Sequence, residues 1–274
     1  MQNRNMWVTD LDGTLLDGQE KLPSQMLDII PNINENTIKV IATGRNLEKV
    51  WKVIDNPKLF NYIIFSSGAG IYNCISGKII QVNNLRQEDS IEIFNYLDKQ
   101  SQNFIYTKEV PQNSTLYYKQ NYSCDHFTEY VDAHQEELEN TLNPFSDKLA
   151  QFMAFLPNQK NQIEIHTSRI MEISKNIQVI RATSPIDKDF CWLEIFHQNV
   201  SKGKAVQFLS NTLSIDLKDI IGVGNDYNDL DFLEIIGKPY VVDNSPQKIK
   251  ANFPVVSSNN ELGVLEVLKK HNLA

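Results

Sequence analysis

Between Asn83 and His197 the sequence has no glycine, and all eleven glycines of the 274-residue chain lie outside that stretch. Other absences are informative too. There are three cysteines, Cys74, Cys124 and Cys191, far apart and never in a C-x-x-C pair. That excludes a disulfide framework or a cysteine zinc site and fits a reducing compartment. The five histidines (126, 134, 166, 197 and 271) show no metal-ligand spacing, so surface or structural roles are expected. No apolar run approaches the ~18 residues that span a bilayer, and the first residues, M-Q-N-R-N-M-W, lack the apolar core of a secretory signal. A cytoplasmic protein is the default expectation. An excess of positive charge is also missing. The net charge of −8 argues against nucleic acid or an anionic membrane as main partner, while a local site can still take a small anion. Repeats and low-complexity tracts are absent.

What is present is an ordinary globular composition, 41% hydrophobic and 22% charged. The length suits one large or two modest domains. The stretch Met6–Leu15, M-W-V-T-D-L-D-G-T-L, reads as a buried strand that exits into a loop carrying Asp10, Asp12 and Gly13. Two readings stand side by side. Asp-Gly is common turn chemistry, so a solvated strand-end turn is one. Two like charges two residues apart are also tolerable around a hard cation, so a carboxylate nucleophile or metal site is the other.

Onward, a helical spacing opens at Pro23-Ser24, with Ser24 near its N-cap. A strand Ile38–Ala42 ends in Thr43-Gly44-Arg45. Asn46 caps a helix, and a strand Tyr62–Phe65 ends in Ser66-Ser67-Gly68. This β-α-β-α-β alternation argues a parallel sheet with helices on both faces. From about Asn83 to His197 the texture turns polar and aromatic. Helical spacing at Ile91, Phe94 and Leu97, strands at Gln151–Leu156, Ile177–Ala182 and Cys191–Phe196, and a helix over Asn161–Ser174 suggest an inserted α+β domain, with Gln120–Phe127 as loop. Its tyrosines (117, 118, 122 and 130) suit cap core packing or a substrate pocket. The opening texture then returns. A helix begins at Ser201, and a strand Ile220–Val223 runs into Gly224-Asn225-Asp226-Tyr227-Asn228-Asp229. A strand Tyr240–Val242 leads to a helix starting at Ser245-Pro246, and Glu261–Leu268 is a last amphipathic helix.

Four clusters therefore fall at strand ends or helix starts: Asp10-Leu11-Asp12, Thr43-Gly44, Ser201-Lys202-Gly203-Lys204 and Asn225–Asp229. In a parallel sheet they meet at one edge. Together they hold carboxylates, a hydroxyl with a backbone N–H, and a cation, the parts that phosphoryl transfer asks for.

In this set the chain resembles the haloacid dehalogenase (HAD) superfamily phosphatases, Cof-type, subfamily IIB. Asp10-Leu11-Asp12-Gly13-Thr14 matches the family's D-x-D-G-T motif, Thr43-Gly44-Arg45 the second motif, Ser201-Lys202-Gly203 the third and Gly224–Asp229 the fourth. The insertion between the second and third motifs matches a type-two cap. The resemblance implies a Rossmann-like α/β core over 1–83 and 198–274, with an inserted α+β cap over 84–197 that sets specificity. It implies a phosphatase of small phosphorylated metabolites, first among them sugar phosphates. Asp10 is then the nucleophile that forms an aspartyl-phosphate, and Asp12 the general acid and later base. Thr43, Gly44, Arg45, Lys202 and Asn228 bind the phosphoryl group, with Arg45 alternatively capping a helix. Lys202 is preferred over Lys204, which reads as a solvated helix lysine. Magnesium falls to Asp10, Asp12 and the fourth motif, Asn225, Asp226 and Asp229.

Two departures matter. The fourth motif usually reads G-D-x-x-N-D, and here Asn225 stands first with Asp226 after it. Either Asn225 keeps the ligand position, with help from Asp229, or Asp226 takes it. Ser67-Gly68 replaces a frequent Asn-Gly. Asp231 is expected to be an exposed or helix-N-terminal carboxylate. Other functions fit the same clusters: a phosphotransferase or mutase of the phosphomannomutase type, or a non-catalytic binding protein.

Overall fold

The structure is a computed structural model and describes residues 4–139, 148–184, 187 and 189–274. In chain order it runs β1 (Asn5–Thr9), α1 (Ser24–Ile29), β2 (Thr37–Ala42), α2 (Leu47–Trp51), β3 (Tyr62–Phe65), β4 (Gly70–Asn73), β5 (Lys78–Val82), α3 (Gln87–Lys99), β6 (Asn103–Lys108) and β7 (Leu116–Lys119). It continues α4 (Asp125–Ala133), β8 (Leu149–Pro157), α5 (Lys160–Ile173), β9 (Ile177–Thr183), β10 (Phe190–His197), α6 (Lys202–Leu213), β11 (Ile220–Gly224), α7 (Leu230–Leu233), β12 (Lys238–Val242), α8 (Gln247–Lys250), β13 (Val255–Val256) and α9 (Gly263–Lys270). The chain divides into two compact units, Met1–Gln81 with Ser201–Ala274, and Val82–Val200.

The first unit carries an eight-stranded sheet ordered β13-β12-β11-β1-β2-β3-β4-β5. Its pairs from β13 to β3 are parallel, and β3–β4 is antiparallel. The inner strands are apolar on both faces, as a parallel sheet covered by helices requires. Met6, Trp7 and Val8 of β1 are all fully buried. Met6 and Val8 pack with Val40, Ala42, Ile64, Val206, Leu209 and Phe232, which places α6 and α7 over one face.

The second unit is a five-stranded antiparallel sheet ordered β7-β6-β8-β10-β9. Alternation along β10 splits its side chains. Cys191, Leu193 and Ile195 join the cluster under α3 and α5, and Trp192 packs with Phe127 and Val131 of α4. The aromatic stretch divides between core and surface. Tyr117 is buried and stacks on Tyr106 with centroids 5.4 Å apart, and Tyr118 and Tyr122 are exposed.

Local expectations shift in four places. Pro23 caps α1, so Ser24 lies inside it, and Pro246 itself caps α8. In α3 the buried stripe is Ser90, Ile93 and Leu97, with Ile91 and Phe94 only partly covered. Gln120–Phe127 is not all loop: α4 begins at Asp125 because Phe127 and Val131, four apart, bury on one face.

Candidate active site

β1 is the strand from which the sheet grows both ways: Thr9 pairs with Ile41 of β2 on one side and Val223 of β11 on the other. Ligands of open parallel sheets bind beyond the carboxyl ends of strands at such a switch point. Asp10 is the first residue past β1, and its N–H donates to the Val223 carbonyl at 2.9 Å. Thr43 follows β2 and Asn225 follows β11, so three of the four motifs share this edge.

The fourth arrives through α6. Ser201 caps it, its Oγ accepting from the Lys204 N–H at 3.1 Å. Gly68, with φ +98°, lies so close to the Ser201 carbonyl that a Cβ has no room, which fixes the helix start against the β3–β4 turn. Lys202 is then buried, 2% exposed, and its Nζ donates to Asp10 Oδ1 at 2.7 Å and to Asp229 Oδ1 at 2.6 Å. Lys204 is exposed. Two buried carboxylates thus share one ammonium. Burial works against the Lys202 charge, but Asp10 and Asp229 outweigh it and raise its pKa above the ordinary value. Burial, and then Asp229, push the Asp10 carboxyl above the usual carboxylate range, with Lys202 pulling the other way. Asp10 Oδ2 is buried and has no hydrogen-bond partner among the described residues.

Asp12 points elsewhere. It lies in one wide turn closed by the Leu16 N–H on the Leu11 carbonyl at 2.9 Å. There it takes a two-pronged ion pair from Arg45: Nη2 lies 2.6 Å from Oδ1, and Nε 2.9 Å from Oδ2. Arg45 Nη2 also donates to Glu20 Oε2 at 2.7 Å. Arg45 is thus neither on a helix cap nor free. The Asp12 bond first, opposed by burial and joined by Glu20, raises its pKa above even the usual guanidinium value. Thr43 is fully buried, and its Oγ1 accepts from the Arg45 N–H at 3.1 Å, which leaves the hydroxyl proton for an outside acceptor. Gly44 is exposed, with Ser67 Oγ 3.7 Å from where its Cβ would sit.

The β11 loop is organised by Asp229. Its Oδ2 accepts from the Asn225 and Asp226 N–H groups at 2.8 and 3.1 Å. Both its oxygens are engaged, one with Lys202 and one with the loop backbone. The Asn225 side chain lies against Gly13, whose φ is +68°. A Cβ at Gly13 would stand 2.5 Å from Asn225 Nδ2. Asp226 is exposed and turns to its own helix, Oδ1 accepting from the Tyr227 N–H at 2.7 Å. Asn228 is exposed.

A hard divalent cation fits these residues. Asp10 and Asp229 outnumber the one buried ammonium, and Asp10 Oδ2 is a carboxylate oxygen without a partner. Among the described residues no three His, Cys, Asp or Glu cluster as ligands. The remaining donors must therefore be neutral oxygens, and the Asp12 carbonyl and the Asn225 side-chain carbonyl are of that type.

The sequence model of a family described as haloacid dehalogenase-like hydrolase matches residues 7–268. The chain belongs to the haloacid dehalogenase-like hydrolases. It is 28% identical over 281 residues to a protein of Buchnera aphidicola named "Putative phosphatase BU028/BU029", covering 96% of this chain and 94% of that one. The fold is shared with BT1666 of Bacteroides thetaiotaomicron, a phosphatase of the superfamily, at TM-score 0.79 and 15% identity, over 99% of this chain and 96% of that one. It is also shared with the subclass IIB sugar phosphatase BT4131, at TM-score 0.73 and 15% identity, over 98% and 100% of the two chains.

Within this hydrolase the sequence motifs miss several supports. Asp231 lies in the first turn of α7, as an N-terminal helix carboxylate, and also reaches α6: its Oδ2 accepts from the Gly203 N–H at 2.8 Å. Three asparagines brace the loop after β1. Asn244 Nδ2 donates to the Gly13 carbonyl at 2.8 Å, Asn259 Nδ2 to the Leu16 carbonyl at 2.9 Å, and Asn260 Oδ1 accepts from the Gly18 N–H at 2.7 Å. Lone asparagines in loops carry no sequence signal for such a role. Glu20 carries no sequence signal for the same reason. The positive φ it adopts has no mark in the sequence, which has Glu there rather than Gly.

Proposed function

We propose that this hydrolase is a magnesium-dependent phosphatase of small phosphorylated metabolites, sugar phosphates first, acting through an aspartyl-phosphate on Asp10. The observation that carries the reading is the buried Lys202 ammonium between Asp10 and Asp229, beside an Asp10 oxygen that has no partner. Magnesium, when bound, offsets the repulsion between a carboxylate and a phosphate dianion. Asp10, the Asp12 carbonyl and Asn225 are its proposed holders, Asn225 being preferred to Asp226 because it faces Gly13.

The chain's own residues supply the rest. Lys202 opposes the burial that disfavours the Asp10 charge and fixes its direction. Asp229 holds Lys202 and the Asn225–Asp226 backbone, so it acts through them. The Thr43 hydroxyl and the Gly44 N–H bind equatorial phosphoryl oxygens, and exposed Asn228 reaches for the same group. Asp12 protonates the leaving oxygen and then takes a proton from water. The 84–197 insertion selects the substrate.

The names of the neighbours are consistent with the sugar-phosphate preference. A panel of phosphorylated metabolites, assayed for free phosphate with magnesium present, tests it. Asp10→Asn is expected to abolish release from every substrate, and full turnover by that variant refutes the nucleophile. Isomerised sugar phosphate without free phosphate would instead assign a mutase.

A further inference from the structure

The turn Asp17–Lys21 lies outside all four motifs, yet it reaches the site. It is tightly built: the Asp17 N–H donates to the Lys21 carbonyl at 2.9 Å, and Asp17 Oδ1 accepts from the Gln19 and Lys21 N–H groups at 2.8 and 3.0 Å. Glu20 sits in it with φ +57°, in the left-handed region that glycine occupies at no cost and a side chain does not. Its side chain is 70% exposed, so its ion pair with Arg45 adds little to folding. A residue that strains the backbone and returns little stability points to a task elsewhere.

That task is visible in the contacts. Arg45 Nη2 is shared between Glu20 Oε2 at 2.7 Å and Asp12 Oδ1 at 2.6 Å. Glu20 thus holds the outer edge of the guanidinium whose inner edge sets the Asp12 carboxylate. The guanidinium is a planar fork, so fixing one nitrogen fixes the orientation of the others. We propose that Glu20 is a positioning residue for Asp12, acting through Arg45 on the proton transfer to the leaving oxygen. This rests on the phosphatase reading of the same site.

The test compares two aryl phosphates of similar size, p-nitrophenyl phosphate and phenyl phosphate, with the full chain and magnesium. p-Nitrophenolate departs readily without a proton, and phenolate needs one. Glu20→Gly removes the carboxylate and relieves the backbone. Its melting temperature is expected to match or exceed wild type. Its kcat on phenyl phosphate is expected to fall about 10-fold, a fraction of what a positioned acid supplies. On p-nitrophenyl phosphate the fall is expected to stay within about 2-fold, with KM unchanged on both. Glu20→Gln, whose amide oxygen still accepts from Arg45, should restore most of the loss. Equal losses on the two substrates, a change confined to KM, or no change overturns the proposal. Should Glu20→Gly fail to fold, the same contrast is read from Glu20→Gln against Glu20→Ala. Asp10→Asn in the same assay separates the failures. If that variant turns over fully, the phosphatase reading falls. If only the Glu20 variants behave as wild type, the reading stands and the positioning role falls.

Discussion

Lys202 Nζ lies 2.7 Å from Asp10 and 2.6 Å from Asp229, in a space where none of the three side chains is more than 6% exposed. Removing one member of such a group leaves uncompensated charge in a dry site. Lys202→Met is expected to lower stability by about 3–5 kcal/mol, which for a chain of this size is a drop in melting temperature of about 10 °C. Phosphate release should be lost as well. A variant that melts like wild type would show that the Lys202 ion pairs with Asp10 and Asp229 do not support the fold.

Asn225→Asp tests the ligand position. With its side chain against Gly13, an added negative charge there is expected to tighten magnesium binding about 10-fold, read from the magnesium dependence of turnover and from calorimetric titration. Unchanged dependence would move the ligand position to Asp226.

Asp231→Ala removes the acceptor for the Gly203 N–H and leaves the α6 start without it. A loss of about 1–2 kcal/mol is expected, as for a helix cap. Because Lys202 is the residue before Gly203, kcat should fall too. Stability loss with unaltered kcat would show that Asp231 only staples the helices.

Glu194 on β10 gives a pH signature independent of the site. Burial pushes its carboxyl from 4.5 up to about 7. The folded chain therefore prefers the protonated form. Its contribution is full below the ordinary value and is lost as pH rises through about 7. Glu194→Gln keeps the neutral form at all pH. It should match wild type near pH 4 and exceed it by about 3 kcal/mol near pH 8 in denaturant melts. Equal stability at both would place Glu194 in a solvated setting.

The parts of this hydrolase that read well from sequence are contiguous. Met6–Leu15 gives its strand and the loop that follows within ten residues, and Lys202 follows a recognisable cap, Ser201. The parts that did not read are pairings across long separations. Gly18 meets Asn260 across 242 positions, Gly203 meets Asp231 across 28 and Arg45 meets Glu20 across 25. Each rests on one polar residue whose local pattern says only loop or helix. In the inserted unit, local spacing shows neither β6 nor β7 and reads the start of α4 as loop. Their packing partners are on other strands, and local spacing does not show them.

The position of β1 also dictates when this protein becomes competent during synthesis. Asp10 is made long before β11, which closes one edge of β1 and ends at Gly224, and before the asparagines that hold Gly13, Leu16 and Gly18, at 244, 259 and 260. An apolar central strand thus waits half-paired while some 200 residues emerge. The inserted unit has its own sheet and cores, and can fold in that interval. The loop after β1 is braced only when residues 244–260 arrive, so a nascent chain that stops short of them carries Asp10 without these supports.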